Sequence, residues 1–233
     1  MQNIRQIVHD RNVQGIFFFV LSLAIFNIAF ILSNGWARLL WSSLGYLSLF
    51  AAYKIDGLSL DSIGLGKGTT KPALKYILGI MTLIVFVMLV AFFVNDAAFK
   101  DARYNQSFAM ALFATLVLLP LKTVLFEELA FRGILPALFL QFKHHHVYAT
   151  VVSSLLFGLW HVFLATKMGD YLLGGGDLVI QNLFVVVGTF LATAMAGYIF
   201  CELRWRSGSL LAPIAAHWTI NGMAIILASF AWS

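Results

Sequence analysis

Seven long apolar stretches follow one another along the chain, separated by short polar connections. They cover 13–32, 36–53, 73–94, 107–142, 147–166, 178–203 and 209–232. A bilayer-crossing helix needs about 20 apolar residues, so each stretch predicts a spanning helix. The fourth is too long for one ordinary span. At about 1.5 Å per residue it exceeds ~50 Å, against a hydrocarbon core of ~30 Å. Pro120 and Pro136 mark places where it would kink or divide, so the count is about seven, within a range of six to eight. The connections carry turn signals. Gly64-Leu65-Gly66-Lys67-Gly68 and Pro72 close the second connection, and Gly174-Gly175-Gly176 precedes the sixth stretch. No strand precedes that glycine triplet and no Lys-Ser/Thr follows it, so it reads as a flexible loop and not as a phosphate cradle.

Composition supports this picture. Of 233 residues, 61% are hydrophobic and 11% charged, and mean hydropathy is +0.90. A soluble domain carries about 25% charged residues. The fold class expected is all-α, a polytopic transmembrane helical bundle forming a single domain over 1–233. The net charge of +5 contains no basic run, which argues against nucleic acid as a partner. The basic residues lie mostly in loops and read as topology determinants and headgroup contacts. With seven spans, Arg5, Arg11, Lys54, Lys67, Lys71, Lys75, Lys143, Arg204 and Arg206 share the N-terminal side, and Arg38, Lys100, Arg103 and Lys167 the other. This bias predicts a cytoplasmic N-terminus. Cys201 is the only cysteine, which excludes an intrachain disulfide, and it reads as a small buried residue. The first stretch lacks a small-residue cleavage site, so no signal peptide is expected.

Three polar clusters interrupt these stretches where lipid disfavours them: Glu127-Glu128 with Arg132, His161, and His217 with Asn221. An ionisable group at mid-membrane costs roughly 2.5–3.5 kcal/mol even on lenient scales. The clusters are therefore expected to meet. In a hairpin of the fourth and fifth stretches, Glu127 and His161 fall at nearly the same depth. His217 and Asn221 are i,i+4 and share a helix face, and Glu128 and Arg132 have the spacing of an ion pair. Glu127 points about 100° away from Glu128, so one carboxylate can hold the arginine while the other faces a cavity.

A carboxylate in a low-dielectric site has raised proton affinity and can act as general base on water. A His can orient that water or protonate a leaving amine, and a His-Asn pair can donate to an oxyanion. That set suffices for peptide-bond hydrolysis without a covalent intermediate. Two His and one carboxylate also form a zinc ligand set, but there is no His-Glu-x-x-His, and zinc is not favoured.

Glu127-Glu128-x-x-x-Arg132, Phe157-x-x-x-His161 and His217-x-x-x-Asn221, in this order on separate apolar helices, resemble the CPBP family. These are the CAAX proteases and bacteriocin-processing enzymes (Abi) of glutamate-type intramembrane proteases. The flanks Phe131-Arg132-Gly133 and Ser207-Gly208-Ser209-Leu210-Leu211-Ala212-Pro213-Ile214 agree, and the family-like region is about 108–226. The resemblance implies an intramembrane endopeptidase with Glu127, His161, His217 and Asn221 catalytic and Glu128 and Arg132 supporting. It implies no cofactor, and a substrate that is a peptide or protein presented at the bilayer. The plain, compact chain suits a bacterial cytoplasmic membrane, where prenylated substrates would be absent. Two alternatives stand beside this reading: a non-proteolytic scaffold or regulator of the same fold, and a proton-coupled transporter, against which no inverted repeat is visible. The sequence does not set the oligomeric state.

Blander readings apply elsewhere. Phe157, Trp160 and Trp218 read as packing walls. Lys122 snorkels or pairs inside the bundle. Gln181 and Asn182 are interhelical glue or cavity lining. His144-His145-His146 is an interfacial solvated run rather than a metal tract.

Overall fold

The computed structural model describes residues 11–142, 145–172 and 179–232; side chains at 11, 12, 163–172 and 179–182 lie outside the description. Arg5, Lys143, His144, Gly174-Gly175-Gly176 and the side chains of Arg11, Lys167, Gln181 and Asn182 therefore fall outside it. Helices occupy the predicted stretches: α1 Arg11–Leu32, α2 Gly35–Ile55, α3 Thr70–Val94, α4 Phe108–Phe142, α5 His146–Leu172, α6 Val179–Ser207 and α7 Leu211–Ala231. No strand occurs among the described residues. The protein is an all-α polytopic bundle. Five helices, α1, α3, α4, α6 and α7, are long and apolar enough to cross a membrane, and the described part of α5 forms a shorter apolar helix.

Chain punctuation explains the helix ends. Ser107 caps α4, its hydroxyl accepting from the Met110 N–H at 3.4 Å; such a cap satisfies one of the orphan amides of a first turn. Pro72 and Pro213 each occupy the third position of their helices, where a missing N–H breaks no intrahelical bond.

The fourth stretch neither breaks nor divides. It is helical over 35 residues, with three turns widened to π geometry at Ala114–Leu118, Pro120–Val124 and Leu129–Ile134. Pro120 and Pro136 each stand two residues beyond the end of a widened turn. A proline lacks the N–H that would bond four residues back and clashes with that carbonyl. Bonding to the fifth residue instead displaces the carbonyl, and the helix absorbs the proline without a break.

The chain divides into two compact units, one comprising the chain up to Ile63 with Leu129–Glu202, the other Gly64–Glu128 with Leu203–Ser233. In the first unit α1 packs on α2 and on the end of α4, and α4 packs on α5. Small residues let α5 and α6 approach closely: a Cβ on Gly158 would stand 2.9 Å from the Phe190 ring, and one on Gly197 would stand 3.1 Å from the Ser154 backbone. This is the packing expected of membrane helices, where close van der Waals fit replaces hydrophobic exclusion. In the second unit α7 makes its most extensive contact with α3 and also packs on the first half of α4. Its entry is fixed by a turn over 207–210. The Leu210 N–H donates to the Gly64 carbonyl at 2.8 Å, and the Ser207 hydroxyl accepts from the Ser209 N–H at 3.2 Å. Gly64 is required twice: its φ of +81° suits glycine, and a Cβ there would overlap the Arg204 guanidinium.

Candidate active site

Within the second unit, α4 and α7 bring three ionisable groups together in the apolar interior. Glu127 is 6% exposed, Glu128 0% and His217 5%. His217 Nδ1 lies 2.8 Å from Glu128 Oε1, and its Nε2 lies 3.9 Å from Glu127 Oε2. The imidazole thus stands between the two carboxylates. With Glu128 ionised, a carboxylate that only accepts, Nδ1 is the donor; the Nε2 edge is the one turned toward Glu127. At 3.9 Å that second contact is too long for a direct hydrogen bond.

The contacts between α4 and α7 position this trio. The Trp218 indole N–H donates to the Thr115 carbonyl at 2.8 Å, inside the first widened turn of α4. The Thr115 hydroxyl donates to the Gly222 carbonyl at 3.5 Å. A Cβ at Gly222 would stand 2.7 Å from Thr115 Cγ2, so only glycine admits this approach without displacement. Ala111, Leu119, Val124 and Ile225 form the apolar core around it. Asn221 is half-buried one turn beyond His217, and its amide makes no hydrogen bond among the described residues.

His161 and Arg132 belong to the first unit. The His161 ring is half-buried, and its Nδ1 lies 2.8 Å from the Phe157 carbonyl. A carbonyl can only accept, so Nδ1 carries the hydrogen, and in the neutral ring Nε2 is the accepting nitrogen. Asn27 Nδ2 donates to the Trp160 carbonyl at 2.7 Å, and Trp160 stacks on Phe26 with centroids 5.8 Å apart. Phe131 meets Phe157 and Trp160 edge-on. Arg132, 1% exposed, lies 3.9 Å from the Phe157 ring centroid and 5.0 Å from that of Phe200. The Ser153 hydroxyl donates to the Phe131 carbonyl, inside the widened turn that follows the glutamates. Phe157 and Trp160 thus act as packing walls, as expected.

Of the six sequence-selected residues, the structure joins Glu127, Glu128 and His217 directly and puts Asn221 on the same helix as His217. Thr115, Gly222 and Ser153 emerge as positioning residues that sequence reasoning missed. The one available signal was Gly222 standing immediately after Asn221 in an apolar helix. Among the described residues no group of three or more His, Cys, Asp or Glu side chains has a metal-holding arrangement.

The family model described as "Rce1-like: Type II CAAX prenyl endopeptidase Rce1-like" matches residues 105–223, a span that contains the three polar clusters. The chain belongs to this family. No curated protein and no solved structure matches it. Membership in the Rce1-like family carries the family's general activity, that of a CAAX protease, and together with the apolar helices makes the chain a multi-pass membrane protein.

Proposed function

We propose that this Rce1-like protein is an intramembrane endopeptidase that hydrolyses a peptide bond of a membrane-presented peptide or protein through a water activated by Glu127. The observation that carries the reading is His217 set between two buried glutamates, with Nδ1 held by Glu128 and Nε2 facing Glu127.

Glu127 accepts a proton from water as the oxygen attacks the scissile carbonyl carbon. The C=O π pair moves onto oxygen, and this oxyanion receives hydrogen bonds from the Asn221 amide and from His217. When the oxyanion collapses, the C–N bond breaks and the proton held by Glu127 passes to the leaving amine. The products are a carboxylic acid and an amine, which exchange a proton to leave as carboxylate and ammonium. Glu128 fixes the His217 ring; as an imidazolium the ring donates to the oxyanion, and as a neutral imidazole its Nε2 accepts from the water. For His161 the motif resemblance is the support for a role in orienting water or relaying a proton. Arg132 supports the helix that carries the glutamates. The proposed mechanism uses no metal. The N-terminus is placed in the cytoplasm by the basic-residue bias, and a bacterial membrane suits the chain's plainness.

An apolar cavity of about 250 Å³ in the first unit, lined by Tyr46, Leu49, Phe50, Tyr53, Leu60, Ile63, Leu129 and Ile134, has the chemistry to seat a lipid chain on the substrate. The deciding experiment compares membrane proteomes of cells carrying the wild type and Glu127→Gln at equal protein level. A substrate that accumulates uncut with Glu127→Gln supports proteolysis. A biological output that survives the substitution would point to the scaffold reading instead.

A further inference from the structure

Three lysines gather where α3 begins. Lys71 and Lys75 lie in its first two turns, and Lys67 sits in the turn before it. That turn is closed by Thr69, whose N–H and hydroxyl both donate to the Gly66 carbonyl, at 3.4 and 3.0 Å. All three lysines are exposed, and none makes an ion pair among the described residues. Lys75 Nζ rests 5.1 Å from the Tyr76 ring centroid, which supplies no countercharge. Local electrostatics opposes this arrangement. The start of a helix carries positive partial charge and favours anions, yet the first turn of α3 holds no acidic residue. Like charges at i,i+4, as at Lys71 and Lys75, repel. From Gly64 to Asn95 the chain has no Asp or Glu at all. The missing anion is therefore expected from outside the chain.

Depth and the neighbouring side chains identify that anion. The uncharged remainder of α3, residues 76–94, is about 28 Å long at 1.5 Å per residue, which matches a hydrocarbon core of about 30 Å. Lys71 and Lys75 thereby fall at headgroup level. Positions 71, 74, 75 and 78 form one i, i+3, i+4, i+7 stripe, and its apolar members Leu74 and Leu78 are 51% and 57% exposed. Cations at the boundary with exposed leucines running inward suit a ligand that joins an anionic group to hydrocarbon. We propose that Lys67, Lys71 and Lys75 bind the headgroup of an anionic phospholipid whose acyl chain lies along Leu74 and Leu78. An acidic peptide or a free phosphate would satisfy the lysines and leave the leucines uncovered. A topology signal asks only that cations lie on one side of the bilayer, not that they share a stripe with exposed leucines. The proposal makes no use of Glu127 and stands apart from the hydrolytic reading.

The test counts lipid adducts by native mass spectrometry on the full chain in dodecyl maltoside, offered dioleoyl phosphatidylglycerol or dioleoyl phosphatidylcholine. A lysine at a membrane surface is worth roughly fivefold in affinity for an anionic lipid. The wild type should therefore prefer phosphatidylglycerol by roughly 10- to 100-fold. Lys71→Gln and Lys75→Gln should each lower the preference by about fivefold, and Lys67→Gln/Lys71→Gln/Lys75→Gln should bring it near one. The corresponding triple change to arginine should keep it, and Lys100→Gln, beyond the other end of α3, should leave it unchanged. Equal binding of the two lipids by the wild type, absence of binding included, would overturn the proposal, as would a preference that survives the triple glutamine variant. A loss with Lys100→Gln as large as with Lys71→Gln would reduce the effect to net charge and overturn it too. Displacement of the lipid by equimolar inorganic phosphate would make the face a free-anion site, and displacement by an equimolar acidic peptide would assign it to a protein partner; either result sinks the lipid assignment.

Discussion

His217 Nδ1 meets Glu128 Oε1 at 2.8 Å, with both side chains almost wholly buried. The contact joins residues 89 positions apart in the sequence. Removing one member of a buried charged pair typically costs 3–5 kcal/mol. Glu128→Ala should therefore lower stability by about 3 kcal/mol, read as a fall in thermal midpoint in detergent. Glu128→Gln leaves an acceptor for Nδ1 and should lose less. Little change with Glu128→Ala would mean that the pair does not hold the ring.

Glu127 makes a contrasting case. Its Oε2 stands 3.9 Å from His217 Nε2, too far for a direct hydrogen bond. Loss of a general base costs typically 10²–10⁴-fold in rate. Glu127→Gln should lose that much in kcat while its thermal midpoint stays near the wild type. Asn221→Ala and His161→Ala should lower kcat with expression preserved. A kcat for Glu127→Gln within a few-fold of wild type would remove it from the base role.

The contact between Thr115 and Gly222 sets how closely α7 approaches α4. Gly222→Ala puts a methyl 2.7 Å from Thr115 Cγ2, an overpacking change of roughly 1–3 kcal/mol. The side chain it strikes can be trimmed, so Thr115→Ser should recover most of the loss while keeping the hydroxyl. The double variant should thus approach wild-type stability and activity. If Thr115→Ser restores nothing, the two helices are held apart or together by other contacts.

Helix positions were legible because each is an apolar run closed by Gly, Pro or polar residues; α1, α2 and α3 begin within three residues of the stretches read from sequence. The widened turns of α4 were not legible. Pro120 and Pro136 announce a disturbance, but whether the helix breaks or widens depends on which carbonyls find donors, and that is settled by packing. The same holds for the site. The i,i+4 spacing of His217 and Asn221 is written in the chain. The bond from His217 to Glu128 and the rings around Arg132 arise from contacts across dozens of residues, and no local pattern encodes them.

Metal dependence is directly measurable. The proposed chemistry draws its base from Glu127 and its oxyanion donors from Asn221 and His217. Incubation of purified protein with a zinc chelator should leave the cleavage rate unchanged. Stoichiometric zinc by elemental analysis, with activity lost on chelation and restored by zinc, would replace the metal-free mechanism with a metal-assisted one.

Arg132 tests whether charge or shape matters beside the glutamates. Its guanidinium lies 3.9 Å from the Phe157 centroid and 5.0 Å from that of Phe200, and the residue is 1% exposed. A planar guanidinium stacks on such rings and forks several donors at once, whereas an ammonium is a compact, strongly hydrated charge. Desolvated cation–π contacts are worth about 2 kcal/mol. Arg132→Lys keeps the charge yet should cost about that much stability. Phe157→Leu should cost stability in its own right through lost packing, and the two effects should be less than additive because they remove the same contact. A cycle that closes additively would show that the rings merely border the arginine and that its charge alone holds it in place.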